Sequence, residues 1–592
     1  MTPDIDPYTP ILHSYMWKEP IPMPYPINTA GAEDSPFITP CGDSFYFFFT
    51  PDPNAPLEEQ LLDGVTGIYQ ARRSAEGWEE PSKVALSDGL SLDGCPYVGD
   101  GEIWFCSARS GNYKGVDFWV AQIQDGEVTE IRNAGERLNT EIEVGELHVT
   151  SDGAEIYFHS DMPGGKGDRD IWVTRMVDGE WQDPENVEAV NSEASDSLPF
   201  VTLDGEELWL TKWYMGYPAV YRSKRIGGEW STPELIISQF AAEPTLDAEG
   251  NIYFAHHFIQ EGVMLEADIY VAYARSQVDP LDKPDVPARG YLMGVLPIPA
   301  GEQTFEESYS SASQFAELVP IWGRPTPFYE LAGELAGSWG ETFLEGYTRG
   351  NGMPPLVHIS FMGPNMTLST PPGLEDATLS DPEWRRAYIN AILNVLEASK
   401  PLYLSLGNEV NRWHEIYGLD PQNGFQHYVS LYEEAYDAVK ALSPETFVFC
   451  TFAREIVSEN READLGFLEM FNLEKLDLLV ITSYPHSLRG VNSPDDIPDD
   501  YYTEVADHLP GKPFGFSEVA WPSKEDFGGE QGQAEFLTQL VGRLTEQQEL
   551  DLRLLSWSWL ADLTEDDHIG LIGRDGTEKS AFTVWNALFS EG

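Results

Sequence analysis

Two glutamates stand where a carboxyl group can act on a substrate. Glu409 follows the run Leu402-Tyr403-Leu404-Ser405-Leu406-Gly407-Asn408, and Glu518 follows Lys512-Pro513-Phe514-Gly515-Phe516-Ser517. A short apolar run bounded by glycine reads as a buried parallel strand. Each run delivers a carboxyl at its C-terminal end, which is where a (β/α)8 barrel carries its chemistry. Two carboxyls on different strand tips are the equipment for glycoside cleavage: one protonated to serve the leaving oxygen, one ionised to attack the anomeric carbon. In the retaining form they face each other at about 5–5.5 Å. The acid needs a pKa raised by burial or by a neighbouring anion. Glu409, preceded by Asn408 and followed by Val410 and Trp413, suits the acid. Glu518, before Val519-Ala520-Trp521, suits the nucleophile, and a hydroxyl such as that of Tyr484 would orient it.

These positions need a scaffold. Residues 276–288, SQVDPLDKPDVPA, are polar, proline-rich and aperiodic, and mark a boundary. Beyond them, from 289 to 592, apolar runs alternate with amphipathic stretches. The strand candidates are 291–296, 318–322, 356–361, 402–406, 447–451, 478–482, 514–517 and 552–557. Helical patterns lie between them: Pro382 to Leu396 with Asp381 as N-cap, Tyr428 to Leu442 stopped by Ser443-Pro444, and Gly532 to Leu544. Eight strands alternating with helices read as a TIM (β/α)8 barrel; a doubly wound sheet is the alternative. Polar residues gather at the strand ends: Arg324, His358, Asn408 with Glu409, Arg454 with Glu455, Tyr484 with His486, Glu518, and Trp557 with Trp559. Glu455 reads as a salt-bridged helix start. Arg324 is as easily structural as substrate-binding, and His358 reads as a hydrogen-bonding rim or core residue. Trp413, Trp521, Trp557 and Trp559 are the candidate rings for a sugar face. Trp339, Trp384 and Trp585 read as packing.

The first 275 residues repeat. The clearest copy runs from Glu146-Leu147-His148-Val149 through Asp152-Gly153, Ile156-Tyr157-Phe158, Gly164-Gly165 and Asp170-Ile171-Trp172-Val173 to Trp181 and Pro184. Partial copies centre on Pro36, Pro96, Pro199 and Pro244. About fifty residues with four strands per unit predicts an all-β propeller of about five blades. The Gly164–Asp170 segment reads as a hairpin loop rather than a cation site, and His256-His257 as incidental. An active site on the propeller axis is a further alternative.

Composition narrows the partners. With 35 basic and 99 acidic residues the formal charge is −64, which repels nucleic acid and anionic membranes and leaves a neutral polysaccharide unaffected. Four cysteines fit neither a metal spacing nor a disulfide framework. No metal or cofactor motif is found, and the expected cofactor list is none. Residues 1–30 lack signal-peptide character, so a soluble chain is expected, cytoplasmic by default with an extracellular location open. Oligomeric state is not legible.

The motifs Gly407-Asn408-Glu409-Val410, Tyr484-Pro485 and Ser517-Glu518-Val519-Ala520-Trp521-Pro522-Ser523 resemble signatures of clan A glycoside hydrolases. They are most similar to family 17 β-1,3-glucanases, with the GNE motif also similar to family 53 β-1,4-galactanases. Gly570-Leu571-Ile572, Asp575-Gly576 and Trp585 are similar to the tail common in that clan. The repeats resemble WD40-like (TolB-type) propeller repeats. The clan resemblance implies that Asn408 bonds the sugar 2-hydroxyl, Glu409 is acid/base, Glu518 is nucleophile, Tyr484 orients it, and a strand-eight tryptophan floors the subsite. The expectation is a retaining β-glycosidase acting on a neutral β-linked poly- or oligosaccharide, with the propeller as a binding or scaffolding module. The alternative is a non-catalytic carbohydrate-binding protein.

Overall fold

The computed structural model describes residues 6–87, 89–124, 127–140, 145–321, 326–547 and 550–590. Arg324 and Trp322 lie outside the described residues. The chain divides into two compact units, Met1–Arg275 and Ser276–Gly592. Residues just past the division belong to the second: the Val278 amide donates to the Leu442 carbonyl.

The first unit is built of antiparallel meanders. Ala32–Ile38, Ser44–Thr50, Gly67–Ser74 and Ser82–Lys83 form one, and Ser91–Gly99, Glu102–Arg109, Asp117–Gln124 and Glu127–Asn133 the next. Leu147–Val149, Glu155–Ser160, Asp170–Val177 and Glu185–Asn186 follow. A fourth joins Ser197–Val201, Glu207–Tyr214, Tyr217–Ile226 and Glu234–Ser238, with Ile11–Leu12 on its edge. The fifth has Ala241–Leu246, Ile252–Gln260 and Val263–Ala272, and takes its fourth strand from the start of the chain, Ile21 pairing with Val271. A parallel bridge between Ala267 and Ala32 joins the fifth meander to the first.

The prolines that mark the repeats have a common cause. Proline cannot donate to a strand ladder, so inside a sheet it needs a bulge or an edge. Pro36, Pro96, Pro199 and Pro244 each follow a residue in the left-handed region: Ser35, Cys95, Leu198 and Glu243, with φ of 47, 52, 57 and 59°. The pairing register shifts at each of these points. The third copy carries Glu146-Leu147 instead. All five positions line one small cavity, so the first strands of the meanders converge there. Asp170, the last residue of the glycine loop, spends its carboxylate on the Lys166 and Gly167 amides and on Asn186, which makes that segment a capped hairpin.

The second unit is a succession of parallel pairings. Strand one, Leu292–Val295, lies beside strand eight, Leu552–Trp557. A bridge from Gly294 to Leu318 carries it to strand two, Val319–Ile321. Strand three is Pro355–His358 and strand four Tyr403–Ser405. Strand five is split at Cys450 into Phe447–Phe449, beside strand four, and Thr451–Ala453, beside strand six, Leu479–Ser483. Strand seven, Phe514–Val519, stands between strands six and eight. Helix Pro382–Ser399 starts as its sequence dictates, with the Asp381 carboxylate accepting from the Glu383 amide at 2.9 Å. It buries Trp384, Tyr388, Ile392 and Leu396, one per turn. Strand five is followed by short 3-10 turns rather than a helix.

Gly294 sits where strands one, two and eight meet. A Cβ there would fall 2.6 Å from Ser556 Oγ and 3.1 Å from the Leu318 carbonyl. Gly294→Val therefore destabilises the second unit by about 1–3 kcal/mol in urea unfolding. Wild-type stability in that variant would show that the three strands tolerate separation.

Candidate active site

Strand four ends at Ser405, whose hydroxyl lies 3.1 Å from the Gly407 carbonyl. The chain then turns tightly. A Cβ on Gly407 would meet Val410 Cγ1 at 2.5 Å and the Tyr428 hydroxyl at 3.0 Å, so only glycine fits. Glu409 takes φ of 48°, a conformation that costs an L-residue about 1–2 kcal/mol. Thr451, the first residue after the break in strand five, holds it there. Its hydroxyl accepts from the Glu409 amide at 2.8 Å and donates to Asn408 Oδ1 at 2.6 Å, and its carbonyl accepts from the Val410 amide at 3.0 Å. Fixing Asn408 Oδ1 also fixes the direction of its NH2. The Glu409 carboxylate accepts from the Thr482 hydroxyl at 2.8 Å and pairs with Arg412, also at 2.8 Å. Arg412 is half exposed, and a pair of that kind contributes at most about 1 kcal/mol.

Glu518 lies within strand seven, one residue short of its end. Its partner across the ladder is Thr482, the residue that holds Glu409. The residue that bonds Glu409 is thus the backbone neighbour of Glu518, and the two carboxyls are close enough for the charge on one to act on the other. Ile481 pairs with Phe516 and Thr482 with Glu518, so Ser517 is an extra residue that bulges strand seven at this point. Tyr484, just beyond strand six, donates its phenol to Glu518 Oε2, and the Ser558 hydroxyl lies 3.0 Å from the same phenol oxygen. Burial pushes the Glu518 carboxyl up to about 7; the Tyr484 hydrogen bond works against this, and the Glu409 charge adds to it. Burial and the Glu518 charge together raise the Tyr484 phenol well above its usual range. Asn408, Glu409, Tyr484, Glu518 and Trp559 all keep part of their surface open.

Behind Tyr484 lies a third carboxyl, Glu455, whose place differs from the sequence expectation. Glu455 does not start a helix: it is a buried strand residue, and the ion pairs belong to its neighbour Arg454, which bonds Glu462 and Glu504 at 2.7 Å each. Glu455 accepts from the Ser483 hydroxyl at 2.9 Å, the Tyr484 amide at 2.7 Å and the Tyr501 hydroxyl at 2.6 Å. It thus anchors the backbone of the tyrosine that reaches Glu518. Burial raises its carboxyl to about 7.

The aromatic expectations divide. Trp413 is fully buried, stacked on Tyr417, with its indole N–H on the Asn423 carbonyl. Trp521 is fully buried against Phe536 and bonds the Phe527 carbonyl. Trp557 is fully buried and bonds the Ile569 carbonyl at 2.9 Å. None of the three offers a ring face to a sugar, and all are corrected to packing residues. Strand parity left Trp557 and Trp559 equivalent; the half-buried one is Trp559, oriented by Asp567 at 2.9 Å. His358, at the end of strand three, is buried and neutral, its pKa lowered to about 3 by desolvation. Thr451, Thr482 and Ser558 were not foreseen; their one legible signal is a hydroxyl residue in or just past a strand.

The first unit has its own recess, a cavity of about 1090 Å³ rimmed by Trp17, Tyr97, Trp104, Trp181 and Arg222. Among the described residues no helix is long and apolar enough to cross a membrane.

No protein-family model matches the chain, and no curated protein matches it in sequence. Similar solved structures are glycoside hydrolases. GH5_18 from Streptomyces cattleya in complex with GlcNAc is 14% identical, with 53% of this chain and 80% of that one covered and a TM-score of 0.37. A family 39 glycoside hydrolase from the gut symbiont Bacteroides cellulosilyticus WH2 is 15% identical over 66% and 80%, TM-score 0.36. Native xylanase 10B from Thermotoga maritima is 11% identical over 51% and 96%, TM-score 0.38. Likeness at this level carries no weight for substrate or mechanism.

The raised Glu455 carboxyl has a stability consequence. Its folded pKa of about 7 exceeds the ordinary 4.5, so its contribution is complete below pH 4.5 and is lost as pH rises through 7. The full span is roughly 3 kcal/mol. Glu455→Gln keeps an acceptor for the Tyr484 amide, and the two hydroxyls can turn to accept from its NH2. The variant is expected to flatten the pH dependence of unfolding between 5 and 8. A wild-type slope would remove Glu455 as its source.

Proposed function

We propose that the chain is a retaining β-glycoside hydrolase acting on a neutral β-linked poly- or oligosaccharide. In this reading residues 289–592 form a (β/α)8 barrel, residues 1–275 a five-bladed propeller, and 276–288 a linker. The observation that carries the proposal is the approach of Glu409 to Glu518, with Thr482 bonding the first and Tyr484 donating to the second. The run of parallel pairings through eight strands, leading from strand one back to it, supports the barrel. The five meanders, the last bridged to the first, support the propeller.

The ionised Glu518 carboxylate attacks the anomeric carbon while the glycosidic C–O bond breaks, and Glu409 gives its proton to the departing oxygen. Glu409 then takes a proton from water, whose oxygen displaces Glu518 from the sugar. Net configuration is retained. Asn408, its amide oriented by Thr451, bonds the 2-hydroxyl, and the half-open Trp559 is the platform for the ring. In the recess of the first unit the half-buried Trp181 offers a further ring to a sugar. The motif likeness to families 17 and 53 supports the same pair of glutamates and carries no linkage with it.

A second reading exchanges the roles. A carboxyl raised to about 7 is what a general acid needs, and here that carboxyl is Glu518. The two are separable. Glu409→Gln and Glu518→Gln each lower kcat by several orders of magnitude with folding unchanged. Azide then restores turnover with inverted product from the variant that lacks the nucleophile, and with retained product from the variant that lacks the acid/base. Wild-type rates in either variant would end the assignment of that glutamate, and glycan binding without hydrolysis by the parent would leave a carbohydrate-binding protein without turnover. Assays on β-1,3-glucan, β-1,4-galactan and mannan with the anomer followed by NMR identify substrate and stereochemistry. Tyr484→Phe removes the hydrogen bond that favours ionised Glu518, so the acid limb of kcat/KM moves to higher pH. An unmoved limb would detach Tyr484 from the nucleophile.

A further inference from the structure

The first and fifth meanders of the first unit meet along a seam. Ala32, in the first strand of the first meander, bridges to Ala267 in the third strand of the fifth. Ala267 is in turn the ladder partner of His257, in the fifth meander's second strand. Three potential ligands collect at this seam. Asp34 comes from the first meander, and Glu243 and His257 come from the fifth. One ligand atom from each lies within 4.8 Å of the other two. The imidazole Nε2 stands 3.5 Å from Asp34 Oδ1, too far for a good hydrogen bond. Asp34 Oδ1 is itself buried with no hydrogen-bond donor on it. Glu243 Oε2 accepts from the Ser35 amide at 2.6 Å, which pins the carboxylate beside Asp34. Glu146, whose Oε1 accepts from the Ser35 hydroxyl at 3.0 Å, adds a further negative charge nearby.

We infer that Asp34, Glu243 and His257 bind a divalent first-row transition-metal ion that clamps the first meander to the fifth. Two carboxylate oxygens and one imidazole nitrogen form a borderline donor set, suited to zinc(II), cobalt(II) or manganese(II) rather than to calcium, which takes oxygen ligands. Two tetrahedral ligands bonded at about 2.0–2.2 Å stand roughly 3.4 Å apart, and the 3.5 Å between His257 Nε2 and Asp34 Oδ1 already has that spacing. His256, the neighbouring histidine, is committed elsewhere, with its Nε2 on Asp6 at 2.8 Å. The two adjacent histidines, incidental as a sequence pair, therefore have different work. The ion would close the seam, independently of any reaction in the second unit.

Cobalt(II) titrated into the full-length chain after chelator treatment tests this. One equivalent is expected to bind with visible d–d bands, to be displaced by one equivalent of zinc(II), and to raise the melting temperature of the first unit. A strongly acidic protein also gathers cations loosely, so the histidine is the discriminating ligand. His257→Ala should lose the bands and the thermal shift while keeping the far-UV circular dichroism of the parent. Asp34→Asn serves as the second variant where that one misfolds. Bands unchanged in His257→Ala, or no stoichiometric binding by the parent, would overturn the assignment.

Discussion

The ladder contact between Thr482 and Glu518 is the constraint on which the candidate site depends. Because strands six and seven pair there, a hydroxyl on one and a carboxyl on the other share a level. The same hydroxyl reaches Glu409 from strand four. A one-residue slip of strand seven would send Glu518 to the opposite face of the sheet. Packing opposes that slip, since it would bring a phenylalanine to the place of Gly515, where even a Cβ would meet Leu554 Cβ at 3.1 Å. Burial in the strands thus fixes the chemistry at their ends.

The local geometry also explains why the site is held from below. Glu409 carries backbone strain and Glu518 a desolvated carboxyl, and neither is stable alone. Thr451 and Thr482 offset the first, and Tyr484 the second, with Glu455 and Ser558 behind Tyr484. The supporting groups are mostly hydroxyls. They can give or take a hydrogen bond, so the network survives a change of charge on either glutamate.

Much of this was legible in the sequence. The apolar runs before Asn408 and Glu518 marked their strands because a strand buried on both faces needs such a run. Asp381-Pro382 marked a helix start because capping is local chemistry. The repeat was visible through X-Pro pairs, since proline in a strand forces a bulge and the bulge recurs. What stayed hidden depends on contacts distant in sequence. Trp413, Trp521 and Trp557 sit beside the motifs, yet neighbouring side chains bury them. Glu455 looked like a helix start, and its role is set by Ser483, Tyr484 and Tyr501, which no local pattern connects to it. His257 and Asp34 face each other only because the last meander adjoins the first.

Ile21–Pro22 and the Trp17 segment pair with residues 270–274, and Asp6 meets His256 across a separation of 250 residues. On the ribosome the opening segment must wait, exposed, until the fifth meander has been made. Until the two pair, the fifth meander keeps an open edge able to pair with another chain. So distant a partner makes the first unit slow to complete. The dense negative charge of the polypeptide would keep neighbouring nascent chains apart during that interval.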